Sequence, residues 1–139
     1  TAIGQLALGA PLPDELATLP HVEDRRSASR NIIVGDRIEP SRFVSAVHLA
    51  AVDPATMGST ATRLGILLDD DSGFQMVASS PAWRAVFGLY GPDLIADPAL
   101  LDQRIAEQLA AIRTLFGADT EEGVGWVDAR NPGRVYWRP

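Results

Sequence analysis

Two apolar runs meeting at an acidic turn constrain this chain more than any other feature. In "LGILLDDDSGFQMVASS", residues 64–80, strand-forming residues flank "DDSG", a cluster of tight-turn formers. The segment reads as a β-hairpin with strands over 63–69 and 74–79. "WRAVFGLYG" then predicts a third strand, with Trp83, Ala85, Phe87 and Leu89 sharing one face through the two-residue period of extended chain.

Around this hairpin the punctuation is equally direct. "NIIVG", residues 31–35, is a short β-branched run and reads as a strand. Pro40 or Ser41 opens a helix through about Val52, with Phe43, Val44, Val47 and Ala51 at helical spacing. Asp53-Pro54 stops it and suits the cap and first position of one further turn in "DPATMG". The longest helix spans 98–116: Asp97 caps it, Pro98 takes the first position, Gly117 follows the end, and Leu101, Ile105, Leu109, Ile112 and Phe116 form one stripe. A second hairpin closes the chain, where "VGWVDA" and "RVYW" flank Asn131-Pro132-Gly133-Arg134, a type II turn sequence.

Residues 1–30 read as an irregular arm. "GAPLPDELATLP" leaves room for about one helical turn over 14–19, and "HVEDRRSASR" reads as a charged surface loop. Leu6, Leu8, Leu12, Leu16 and Leu19 are apolar enough to dock on a core. The expectation is one domain over 1–139, with an arm over 1–30 and a core over 31–139. Its fold class is α+β: a mainly antiparallel sheet built from two hairpins, packed against one long and one shorter helix.

Composition excludes several chemistries. The 139 residues contain no cysteine, which removes disulfides, thiolate metal sites and a cysteine nucleophile. All twelve basic residues are arginine, so there is no Schiff-base lysine and no P-loop lysine. That bias matches codon usage in high-GC bacterial genomes. A formal net charge of −6 disfavours nucleic acid and anionic membrane surfaces as partners. No apolar run reaches the roughly 20 residues of a membrane span, and no basic segment precedes a hydrophobic one, so the expected compartment is the cytoplasm.

The candidate sites divide by residue type. Asp69, Asp70 and Asp71 with Gly73 invite a hard cation, but the sixth and twelfth positions of an EF-hand loop would be Phe74 and Ser80, so the turn reads as structural and no metal is expected. His48 has Ala51 and Val52 at i+3 and i+4 in place of a ligand partner, and reads as a packing residue. His21 lies among charges near Glu23 and Asp24 and reads as surface. Thr1 does not precede a buried strand, as an N-terminal nucleophile would. Arg25, Arg26 and Arg30 are the candidate anion contacts, with Glu23 and Asp24 close enough in sequence to neutralise them. Trp83, Phe87, Tyr90, Trp126, Tyr136 and Trp137 are the candidate ligand or partner contacts, either as core or as an interface.

Residues 42–80, "RFVSAVHLAAVDPATMGSTATRLGILLDDDSGFQMVASS", resemble the first helix and hairpin of a GAF-type sensory domain, a pattern shared with PAS, Cache and roadblock domains. "EEGVGWVDARNPGRVYW" resembles the later GAF segment that follows a helix. The resemblance implies ligand sensing or protein interaction rather than catalysis, and carries no residue-level site.

The expected function is therefore a non-enzymatic regulatory or sensory domain that binds a small molecule or protein partner without a cofactor. It would use an apolar cavity or sheet face between the hairpins and the long helix. Two other readings compete: an acidic dimeric adaptor or chaperone-like protein, marked by an open apolar patch without a cavity, and a small hydrolase or isomerase using Asp, His and Arg. A homodimer is expected, through the aromatic C-terminal hairpin.

Overall fold

The computed structural model describes residues 10–139 apart from 12 and 18; the readings on Thr1, Leu6, Leu8 and Leu12 fall outside the described residues. Among the described residues six strands form one sheet in sequential order: β1 (Val22–Asp24), β2 (Gly65–Asp69), β3 (Gly73–Ser79), β4 (Ala82–Gly88), β5 (Trp126–Asp128) and β6 (Tyr136–Arg138). The class is α+β, as expected, but the sheet is mixed rather than mainly antiparallel. β1 pairs parallel with β2 and β4 pairs parallel with β5, while β2–β3, β3–β4 and β5–β6 are antiparallel.

Parallel neighbours need a crossover, and the helices supply it. Helix α1 (Asp14–Ala17) precedes β1, α2 (Pro40–Ala50) lies between β1 and β2, and α3 (Pro92–Ala96) and α4 (Pro98–Leu115) lie between β4 and β5. Both crossovers step the same way across strands of the same direction, so one handedness puts α2 and α4 on one face of the sheet. The core confirms this. Ile66, Leu68, Phe74, Met76, Trp83, Ala85, Phe87 and Val127 from that face pack with Leu49 of α2 and with Leu101, Ile105, Leu109 and Ile112 of α4.

The stripe of α4 is buried in full, including Phe116 just past the helix. Burying each of these side chains contributes about 1.5–3 kcal/mol. Asp97 caps α4 by accepting from the Ala99 and Leu100 N–H groups, as its position in the sequence implies. The chain does not stop at Gly117; it continues as a π-helical turn over Phe116–Thr120. The 3₁₀ turn at Pro54–Met57 and its Asp53 cap also match expectation, and Gly133 takes a φ of +67° in the C-terminal turn.

Three local readings are corrected. Segment 31–35 is not a strand: Ser27–Asn31 is a 3₁₀ helix, and Ile32, Ile33 and Val34 stand exposed beyond it. The strand forms instead at Val22–Asp24, inside the supposed loop, where the His21 carbonyl accepts from Ile66 N–H and Arg25 N–H donates to the Leu68 carbonyl. A free edge of β2 outweighs weak local propensity there. On α2 the deeply buried residues are Ser45 and Leu49, whereas Phe43 and Val47 point outward. Finally, Leu89 is exposed because Gly88, at φ +84°, ends the alternation of β4.

Candidate binding groove

An apolar recess on this surface follows from the two corrections at β1 and α2. β1 is short and lies at the sheet edge; α2 turns Phe43 and Val47 away from the core. Between them runs an open groove of about 580 Å³, walled by Leu19 and Val22 on the strand side and by Ile38, Phe43 and Val47 on the helix side, with Leu68 and Phe74 at its floor. A second depression of about 500 Å³ shares Leu19, Pro20 and Ala50 with it and includes His21. These volumes lie in the range of natural ligand sites.

Charges at the groove cancel locally. Arg26 pairs with Asp24 at 2.7 Å and reaches Glu39 at 3.5 Å. Arg42 Nε lies 3.4 Å from Glu39 Oε2, yet it is buried and makes no hydrogen bond, so that contact is coulombic only. Burial pushes the Asp24 carboxyl up, but hydrogen bonds from Arg26 and Ser29 outweigh this and hold it below the usual aspartate value. The Ser41 hydroxyl and the nearby arginines likewise hold Glu39 low.

The edge of β1 adds main-chain polarity. His21 and Arg25 direct their backbone groups at β2, so by the period of a strand the backbone N–H and C=O of Val22 and Asp24 point the other way, out along the edge of the sheet beside the groove.

The aromatic candidates divide into two groups. Trp83, Phe87 and Tyr90 are core residues. Trp83 Nε1 donates to Glu121, and Tyr90 Oη to Gln108 Oε1 at 2.8 Å; burial pushes the Tyr90 phenol well above its ordinary value. These three side chains pack between the sheet and α4. In the C-terminal hairpin Trp126 pairs across from Arg138 and Trp137 from Val127, so the two tryptophans face opposite sides of the sheet. The Arg138 guanidinium stacks over Trp126 at 4.8 Å, while Tyr136 and Trp137 are exposed at the β6 edge.

The arginines do not converge. Arg25 is bound through Nε and Nη2 by Glu23 at 2.7 and 3.0 Å, Arg26 is held by Asp24, and Arg30 is exposed on the 3₁₀ turn near the charge of Asp70. The acidic hairpin tip is equally occupied. Asp69 accepts from Asp71 N–H, Ser72 N–H and Gln75 Nε2, and Asp70 accepts from both the N–H and the hydroxyl of Ser27. Among the described residues no three His, Asp or Glu side chains gather as a metal site, and no helix is long and apolar enough to cross a membrane.

His48 Nδ1 lies 2.6 Å from Asp102 Oδ1, a contact between α2 and α4 that no local spacing could reveal. The groove residues were also missed, although α2 carried a usable signal. Phe43, Val47 and Ala50 form one apolar line while Ser45 and Leu49 define another face, so the helix has more apolar surface than one core can use. No family model matches the chain, and no curated protein or solved structure does either.

Proposed function

We propose that this chain is a non-enzymatic regulatory or adaptor domain whose α2–β1 groove holds an apolar, extended segment of a partner protein. One observation carries the reading: five large apolar side chains, Leu19, Val22, Ile38, Phe43 and Val47, stay exposed around one recess. An open apolar recess of this kind is characteristic of an interaction site. The groove is not enclosed by the hairpins and α4, and its charges neutralise one another, which favours an uncharged polypeptide over an ionic ligand. The edge of β1 supports the same reading, because an extended peptide gains affinity by adding to an open strand.

A polarity-sensitive fluorescent dye, anilinonaphthalene sulfonate, tests the groove directly. The native protein is expected to bind it, and Phe43→Glu and Val47→Glu are each expected to abolish the signal without lowering the melting temperature. A native protein that leaves the dye dark even when diluted below any self-association, or binding in both variants equal to the native protein's, overturns the assignment.

A further inference from the structure

Resting on the groove reading, we propose that its occupant is a second copy of this chain, which inserts the β-branched run at residues 31–35 as an extended strand along the edge of β1. Sequence and structure disagree most sharply at this run. Ile32, Ile33 and Val34 have strand-forming side chains, yet they form no strand and remain exposed, Ile33 at 63 %. Surface hydrogen bonds hold them in a turn: Asp36 Oδ2 accepts from Ile33 N–H at 3.0 Å and Asp36 N–H donates to the Ile33 carbonyl at 3.1 Å. Such exposed bonds exchange readily with water, so the run can open without disturbing the core.

The groove offers what the run lacks. Among the described residues nothing pairs with the outward main-chain groups of Val22 and Asp24, and the walls formed by Phe43 and Val47 can accept alternate apolar side chains. The run and the groove lie on one continuous stretch, since Ile38, four residues after Val34, already lines the recess. Each copy thus carries both halves of a self-complementary contact, which is the requirement for a two-fold interface. Charge permits the approach: residues 31–35 are uncharged, and the groove arginines are already paired with Asp24 and Glu39, so two acidic chains meet at a neutral patch. Area supports it as well. From their exposure, the five groove residues and the three of the run present on the order of 750 Å² per copy, close to the roughly 800 Å² per partner of a standard interface.

Sedimentation equilibrium from micromolar to hundreds of micromolar concentration tests the proposal on the full chain. A reversible dimer is expected, with Ile33→Asp and Val22→Pro each weakening it by roughly tenfold or more. Ile33→Asp changes an exposed side chain, and Val22→Pro removes an N–H that β2 does not use, so both should keep the native melting temperature. A synthetic peptide of residues 28–37 should compete with the dimer, and the same peptide with Ile33→Asp should not. A monomer throughout the range overturns the proposal. So does a dimer indifferent to both substitutions, including one broken by Trp137→Ala, which would place the contact at β6. Dye binding that persists in a monomer leaves the groove standing and removes only this occupant.

Discussion

Trp83 Nε1 donates a hydrogen bond of 2.8 Å to Glu121 Oε1 beneath the sheet, tying β4 to the turn that follows the π-helical segment. The carboxylate is 6 % exposed and saturated: Oε1 also accepts from the Ser59 hydroxyl, and Oε2 from the Thr60 N–H at 2.9 Å and hydroxyl at 2.8 Å. It is therefore a structural clasp between three segments, with no lone pair left for chemistry.

This clasp makes stability depend on acid. Burial pushes the Glu121 carboxyl up, but the four hydrogen bonds outweigh burial and leave it below the ordinary value of 4.5. A folded-state value below the unfolded one stabilises the protein above the unfolded value and loses that contribution as pH falls through the folded one. Glu121→Gln should cost about 2–4 kcal/mol at neutral pH, since its NH₂ faces donors. The gap from the native protein should narrow in acid below the glutamate range. Urea titrations of both proteins at neutral and acidic pH measure it; a gap independent of pH would contradict the clasp.

Gln108 joins α4 to two strand ends. Its Nε2 donates to the Phe87 and Ala129 carbonyls at 2.9 and 3.0 Å, and its Oε1 accepts from Tyr90. Gln108→Leu should cost about 2–3 kcal/mol by stranding two carbonyls, and Tyr90→Phe about 1 kcal/mol. Together they should cost less than their sum by about 0.5–1 kcal/mol, because the second loses a bond already gone. Simple additivity in a double-mutant cycle would dissolve the proposed network.

Two glycines with similar backbone should respond differently to alanine. Gly73 and Gly133 have φ of +70° and +67°. A Cβ on Gly73 would lie 2.6 Å from the Gly88 carbonyl carbon, at the bulge where Gly73 and Phe74 both oppose Gly88, whereas Gly133 faces open space. Gly133→Ala should cost about 1 kcal/mol for the left-handed conformation alone. Gly73→Ala should cost at least about 2 kcal/mol more, since backbone must move. Thermal unfolding of the pair decides it, and equal losses would refute the close approach.

Much of the fold was legible because the signals are local. The "DDSG" hairpin, the Asp97 cap with its five-residue stripe, the Asp53-Pro54 turn and the Pro-Gly turn at 132–133 each depend on residues within a few positions of one another. The site was less legible. Phe43 and Val47 fit a core stripe as well as an outer one, and helical spacing cannot say which face meets the sheet. Trp83 and Tyr90 read as core more readily than as contact, and Glu121 and Gln108 beside them show what their polar atoms hold.

What the sequence by itself determined was where the chain turns, caps and alternates, because those preferences are set by backbone sterics and short-range hydrogen bonds. Tertiary structure alone decided that residues 22–24 rather than 31–35 add a strand, since the choice turns on which segment reaches the free edge of β2. It also decided that the sheet is mixed, through crossovers that set α2 and α4 on one face, and that Glu121, Trp83 and Ser59 meet. Those outcomes depend on pairings between residues tens of positions apart, whose energies exist only once the core has closed.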